Sequence, residues 1–176
     1  PWRAAAKRHG AVVKYLECEP DGSFSLERFR NLLSDRTKIV SMTAMSNIYG
    51  RVIDIKAFAE EAHKKGAYFV ADGAQSVPHS KTDVQALDVD FLALSGHKMF
   101  APMGIGALYG KQELLEAARP YHGGGNMIAD VTFERTIYNP APNKFEAGTG
   151  SIADAVGLGA ALQYLSEIGI DRKSVV

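Results

Sequence analysis

The chain has 176 residues, 46% of them hydrophobic, and its twenty lysines and arginines balance twenty aspartates and glutamates. That length and composition suit one domain with a sizeable core and exclude wholesale disorder. With no net charge to attract nucleic acid or an anionic membrane, no apolar run near the ~18 to 20 residues a bilayer span needs, and one cysteine that can form no internal disulfide, a soluble cytoplasmic protein is expected.

In chain order, Trp2 to His9 reads as a helix, and the absence of an initial Met suggests that the chain is truncated ahead of Pro1. Ala11-Val12-Val13-Lys14-Tyr15-Leu16 is rich in β-branched and aromatic residues and predicts a strand, followed by turn chemistry at Pro20-Asp21-Gly22. Ser25 is placed to cap a helix over Leu26 to Ser34, and Lys38 to Thr43 reads as a buried strand. Asp54 is placed to cap a second helix whose apolar face is Ile55, Phe58, Ala59 and Ala62, with Gly66 as its stop. Short apolar strands follow at Ala67 to Ala71, Phe91 to Leu94 and Ile105 to Tyr109. Ser151 and Asp154 resemble a capping pair for a last helix carrying Leu158, Leu162 and Leu165. This alternation predicts an α/β fold with a mostly parallel sheet flanked by helices. No linker or repeat divides the chain.

In open sheets of this class, ligands bind beyond the carboxyl ends of the strands. Two such ends carry reactive groups: Asp72-Gly73-Ala74-Gln75 after one strand and Ser95-Gly96-His97-Lys98 after the next. Alone, Asp72 before Gly73 is more often a turn former, and a lone lysine more often a solvated surface charge. Together they suit pyridoxal 5'-phosphate (PLP) chemistry. A lysine amine holds that cofactor as an imine and moves protons at the substrate α-carbon. A carboxylate keeps the pyridine nitrogen protonated, so that the ring accepts electrons. Gln75 suits the ring hydroxyl oxygen, and Ser95 and His97 suit the phosphate.

Ser46-Asn47, Asp72-Gly73-Ala74-Gln75, Ser95-Gly96-His97-Lys98, Gly104-Ile105-Gly106, Gly123-Gly124-Gly125 and Phe145-Glu146-Ala147-Gly148-Thr149 occur in this order. Together they resemble the class V aminotransferase-fold enzymes, nearest the SufS-type cysteine desulfurases and selenocysteine lyases. The likeness runs from about Ala11 to about Gly169. It implies the large domain of fold type I PLP-dependent transferases, with residues 1–176 a partial PLP-binding domain lacking its N-terminal part and the C-terminal small domain.

The resemblance further implies roles by motif. Lys98 matches the catalytic PLP lysine, Asp72 the pyridinium partner, Gln75 the residue at the ring oxygen, and Ser95 and His97 phosphate ligands. Asn47 matches a residue near the ring and substrate. Thr149 matches one that reaches the phosphate of a neighbouring subunit, which implies a homodimer, and Gly123 to Met127 resembles a flexible segment at the site entrance. The implied reaction converts L-cysteine to L-alanine, with sulfur passing to an enzyme cysteine, onward to a sulfur-acceptor protein and to iron-sulfur cluster assembly. The family's cofactor-stacking histidine lies upstream of Pro1, and its persulfide cysteine and carboxylate-binding arginine lie downstream of Val176, so Cys18 is not that cysteine. Selenocysteine lyase, kynureninase-like or epimerase-like activity remain alternatives, and the isolated chain is expected to be inert.

The histidines show no metal-ligand spacing, and Gly104-Ile105-Gly106 lacks the rest of a dinucleotide fingerprint. No metal site, dinucleotide site or nucleic-acid patch is expected. The ending, Asp171-Arg172-Lys173-Ser174-Val175-Val176, breaks from the family pattern and back-translates to a sequence resembling a sequencing adapter, so a foreign tail is expected there.

Overall fold

The computed structural model describes residues 1–170, and the expected foreign tail lies outside the described residues. Helix α1 (Trp2–His9) forms as its pattern predicts and ends at Gly10, whose φ of 63° is the left-handed conformation that stops helices. The strand expected at Ala11 to Leu16 does not form. The backbone there is irregular, Val12 is 83% exposed, and Leu16 packs only in part against the core. β-branched residues favour strands through packing on a neighbouring strand, and this segment has no such neighbour among the described residues.

Helix α2 (Leu26–Leu32) starts where Ser25 accepts the Arg28 N–H and stops before the expected Ser34, because Leu33 is already extended. Strand β1 (Ile39–Thr43) leads through a turn to α3 (Ile55–His63), where Asp54 accepts the Ala57 N–H. The four residues assigned to its apolar face, Ile55, Phe58, Ala59 and Ala62, are all buried. Phe58 meets Phe29 of α2 edge to face at 5.1 Å, an arrangement that adds to the burial of both rings. Gly66, at φ 67°, turns the chain into β2 (Tyr68–Asp72). The short helix α4 (Val84–Leu87), capped by Asp83, precedes β3 (Phe91–Ser95). A 3₁₀ turn (Gly96–Met99) then leads to β4 (Gly106–Gly110), α5 (Gln112–Ala117), the hairpin strands β5 (Ile128–Val131) and β6 (Thr136–Tyr138), and α6 (Ile152–Ile168).

The main sheet has the order β1-β2-β3-β4. The first two pairings are parallel and β3 with β4 is antiparallel, so the mostly parallel sheet expected from the sequence forms, with one antiparallel edge. Side chains alternate between the faces of a strand. Phe69 and Ala71 of β2 and Leu92 of β3 point with Phe29 and Phe58 into the core, while Asp72, Ala93 and Ser95 fall on the opposite face.

Ser151 precedes α6, but its hydroxyl donates to Asp154 Oδ2 at 2.6 Å rather than capping a backbone N–H. Of the expected apolar face, Leu165 is buried together with Ala161, whereas Leu162 is exposed. Helix α6 meets the rest of the fold chiefly at the 3₁₀ turn. No helix among the described residues is long and apolar enough to cross a membrane, and no cluster of three or more His, Cys, Asp or Glu among them could hold a metal.

Candidate functional site

Strands β1, β2 and β3 run in the same direction, so their carboxyl ends emerge at one edge of the sheet. Asn47 follows β1, Asp72 closes β2, and Ser95, His97 and Lys98 close and follow β3. Three adjacent strand ends thus gather Asn47, Asp72, Ser95, His97 and Lys98 of the residues singled out from the sequence. Asp72 is in register with Ala93, which puts Ser95 two residues further along on the same face, about 7 Å at the rise of a strand.

Each residue is held by its own local structure. Ser46 Oγ accepts the Ile48 and Tyr49 N–H groups at 3.2 and 3.1 Å, folding the exposed turn that carries Asn47. Asp72 is exposed, and its Oδ1 accepts the Ala74 N–H at 2.9 Å. The next residue is closely packed: a Cβ on Gly73 would lie 2.9 Å from Val77 Cγ2 and 3.1 Å from the Ala93 oxygen. Gln75 lies half-buried in the turns that follow.

On β3, Ser95 Oγ and His97 Nδ1 are 2.9 Å apart, so hydroxyl and imidazole form one polar unit. Gly96 donates its N–H to the Ile105 carbonyl at 2.9 Å, and a Cβ there would come within 2.8 Å of that oxygen. Lys98 is half-buried on the 3₁₀ turn, between buried Gly96 and Met99. Phe100, at φ 63°, ends the turn and meets Tyr164 of α6 edge to face at 6.1 Å. Gly157 lets α6 approach Pro102 so closely that a Cβ would lie 2.6 Å from the ring. The lysine is therefore carried on a backbone braced from both sides.

Thr149 stands apart from this group. It is exposed on the loop entering α6, and no hydrogen bond among the described residues joins it to the strand ends. In the glycine-rich segment Gly123 to Met127, Met127 is fully buried and the Gly125 carbonyl accepts the Gly148 N–H at 2.9 Å, while Gly123, Gly125 and Asn126 are exposed. Cys18 is exposed on the irregular segment before α2.

The donor set fits PLP on its chemistry. An amine, a carboxylate and a hydroxyl-imidazole pair share one edge, and Gly73 and Gly96 occupy positions at adjoining strand ends that a Cβ would crowd.

A second polar cluster, not evident from the sequence motifs, lies at the opposite end of the same strands. Asp90, only 4% exposed, accepts the Phe69 N–H at 2.7 Å and faces His63 Nε2 at 2.8 Å and Lys111 Nζ at 2.9 Å. Asp88 joins it through Lys111 Nζ at 2.7 Å and His63 Nδ1 at 3.4 Å. Burial pushes the Asp90 carboxyl up, but the Phe69 N–H, Lys111 and His63 outweigh it and hold the carboxyl below its ordinary value. Burial likewise pulls Lys111 down, and its bonds to Asp88 and Asp90 raise it above the usual lysine value. The available signal was Asp88-Val89-Asp90 immediately ahead of an apolar strand, where a carboxylate requires buried partners.

Residues 1–174 match the family model for aminotransferase class-V. The chain is 56% identical over 171 residues to a cysteine desulfurase of Synechococcus elongatus, covering 97% of this chain and 27% of that protein. It is 46% identical to a cysteine desulfurase of Haloferax volcanii, covering 97% of this chain and 40% of the relative. Among solved structures, the cysteine desulfurase CsdA of Escherichia coli superposes with a TM-score of 0.94 at 40% identity, over 97% of this chain and 43% of that one. The apo cysteine desulfurase of Thermococcus onnurineus superposes at 0.91 and 34% identity, with the same coverage. The chain thus spans less than half the length of each of these proteins.

Proposed function

The chain belongs to the aminotransferase class-V family, and from that premise we propose that the full-length protein is a PLP-dependent cysteine desulfurase. The observation that carries the reading is the gathering of Lys98 and Asp72 at the carboxyl ends of two adjacent parallel strands. Its relatives named as cysteine desulfurases supply the substrate class.

In this reading Lys98 anchors the cofactor and, once released from it, moves a proton at the substrate α-carbon. Asp72, oriented by the Ala74 N–H, holds the proton on the pyridine nitrogen. Bound there, PLP supplies an electron sink for the substrate's α-carbanion. Ser95 and His97 donate to the phosphate, Gln75 to the ring oxygen, and Asn47 borders ring and substrate. The cysteine Cβ–S bond breaks, sulfur passes to an enzyme cysteine outside residues 1–176 as a persulfide, and alanine is released.

Thr149, exposed and separate from the strand ends, is assigned to the phosphate of a second subunit, which makes the functional unit a homodimer. Residues 1–176 form part of the PLP-binding large domain, and the protein works in the cytoplasm, handing sulfur to an acceptor protein for iron-sulfur cluster assembly. The test is to supply the full-length protein with L-cysteine, PLP and a thiol reductant and to measure alanine and sulfide. Equimolar release is expected, and no alanine from L-cysteine would reject the reading.

A further inference from the structure

The pairing between β2 and β3 is the shortest in the main sheet. It spans three residue pairs, Val70 to Asp72 with Phe91 to Ala93, whereas β1 with β2 and β3 with β4 each span five. This short seam alone separates the strand that ends in Asp72 from the strand that leads to Lys98. A one-residue slip along a strand moves every side chain to the other face, so the register here decides whether the two groups share a site.

The buried cluster at the other end of the seam supplies what the short ladder lacks. Asp90 Oδ2 takes the Phe69 N–H of β2 and faces His63 Nε2 at the end of α3, while Oδ1 binds Lys111 just beyond β4. The backbone repeats the connection: the Asp90 N–H donates to the Phe69 carbonyl at 3.1 Å, and the Lys111 N–H to the Asp90 carbonyl at 3.0 Å. One carboxylate therefore ties three neighbouring strands and a helix. A buried carboxylate is tolerated only while such partners are engaged, so the cluster strongly disfavours sliding or parting of β2 and β3.

We propose that Asp90, through His63 and Lys111, is a positioning residue that clamps the β2–β3 seam and thereby fixes the spacing of Asp72 and Lys98. The cofactor half of this proposal rests on the functional reading given above, whereas the clamp itself is a property of the fold. Asp90 lies ahead of β3, at the opposite end of the strands from Asp72 and Lys98.

Two amides report the two seams. The Gly73 N–H bonds the Ala93 carbonyl across β2 and β3, and the Ala44 N–H bonds the Asp72 carbonyl across β1 and β2. The experiment is single-amide hydrogen exchange on the full-length protein without cofactor, in Asp90→Asn and in the milder Lys111→Met, together with PLP affinity of the same variants. Opening of one seam should speed exchange at Gly73 by about tenfold or more and leave Ala44 within about threefold, and PLP should bind about tenfold more weakly. Equal acceleration of both amides would mean general destabilisation and would overturn the clamp, as would no change at Gly73. A loosened Gly73 with unchanged PLP affinity would overturn the positioning role. If the unsubstituted protein itself failed to bind PLP, the functional reading and the positioning role would fall together, while the exchange comparison would still decide whether Asp90 clamps the seam.

Discussion

The Ala74 N–H donates to Asp72 Oδ1 at 2.9 Å, so the carboxylate assigned to the pyridine nitrogen is aimed by the backbone two residues beyond it. Replacing Asp72 with alanine removes a charge-assisted bond without disturbing the lysine. Such bonds contribute about 1.5 to 3 kcal/mol, which corresponds to roughly 10- to 10²-fold in rate. Asp72→Ala should therefore retain PLP but lose turnover by about that factor, as steady-state kinetics on the full-length protein will show. Unchanged kcat would remove Asp72 from the site.

Gly96 is required by space. An added Cβ would lie 2.8 Å from both the Ile105 oxygen and Ile105 Cγ2, at the start of the turn that carries Lys98. Gly96→Ala should destabilise the full-length protein by about 1 to 3 kcal/mol, the usual penalty for forcing atoms into a packed site. Denaturant titration measures this, and a neutral effect would show that the turn relaxes freely.

Glu61 sits between two cationic side chains, Arg30 and Lys64. Hydrogen bonds from Arg30 and then Lys64 hold the Glu61 carboxyl at about 2, below its ordinary value of 4.5. Because the folded value is depressed, the stabilisation is present above pH 4.5 and is lost as pH falls toward about 2. Melting temperature followed from pH 7 downward should therefore decline less steeply in Glu61→Gln than in the unsubstituted protein across that acid window. Parallel curves would show that the pair makes no linked contribution.

Much of this architecture was legible from local signals. Ser25 and Asp54 cap their helices, and Ile55, Phe58, Ala59 and Ala62 are buried together. Those features depend on residues a few positions apart, which a sequence displays directly. The strand ends were legible for the same reason, since Asp72 and Ser95-Gly96-His97-Lys98 each follow an apolar run. Features that depend on distant partners were not. Ala11 to Leu16 has the composition of a strand but no neighbour to pair with among the described residues, and the direction of β4 is set by its pairing with β3. The Asp90 cluster joins His63, Phe69 and Lys111 across three elements, and only the folded sheet brings them together.

The central claim is that Lys98 carries the cofactor. The most direct measurement is to incubate the full-length protein with PLP, reduce it with borohydride, digest it and locate the pyridoxyl mass by tandem mass spectrometry. The account predicts a single modified site at Lys98, absent from Lys98→Ala together with the cofactor's visible absorption and the turnover of L-cysteine. A stable adduct at another lysine, or undiminished turnover in Lys98→Ala, would contradict it.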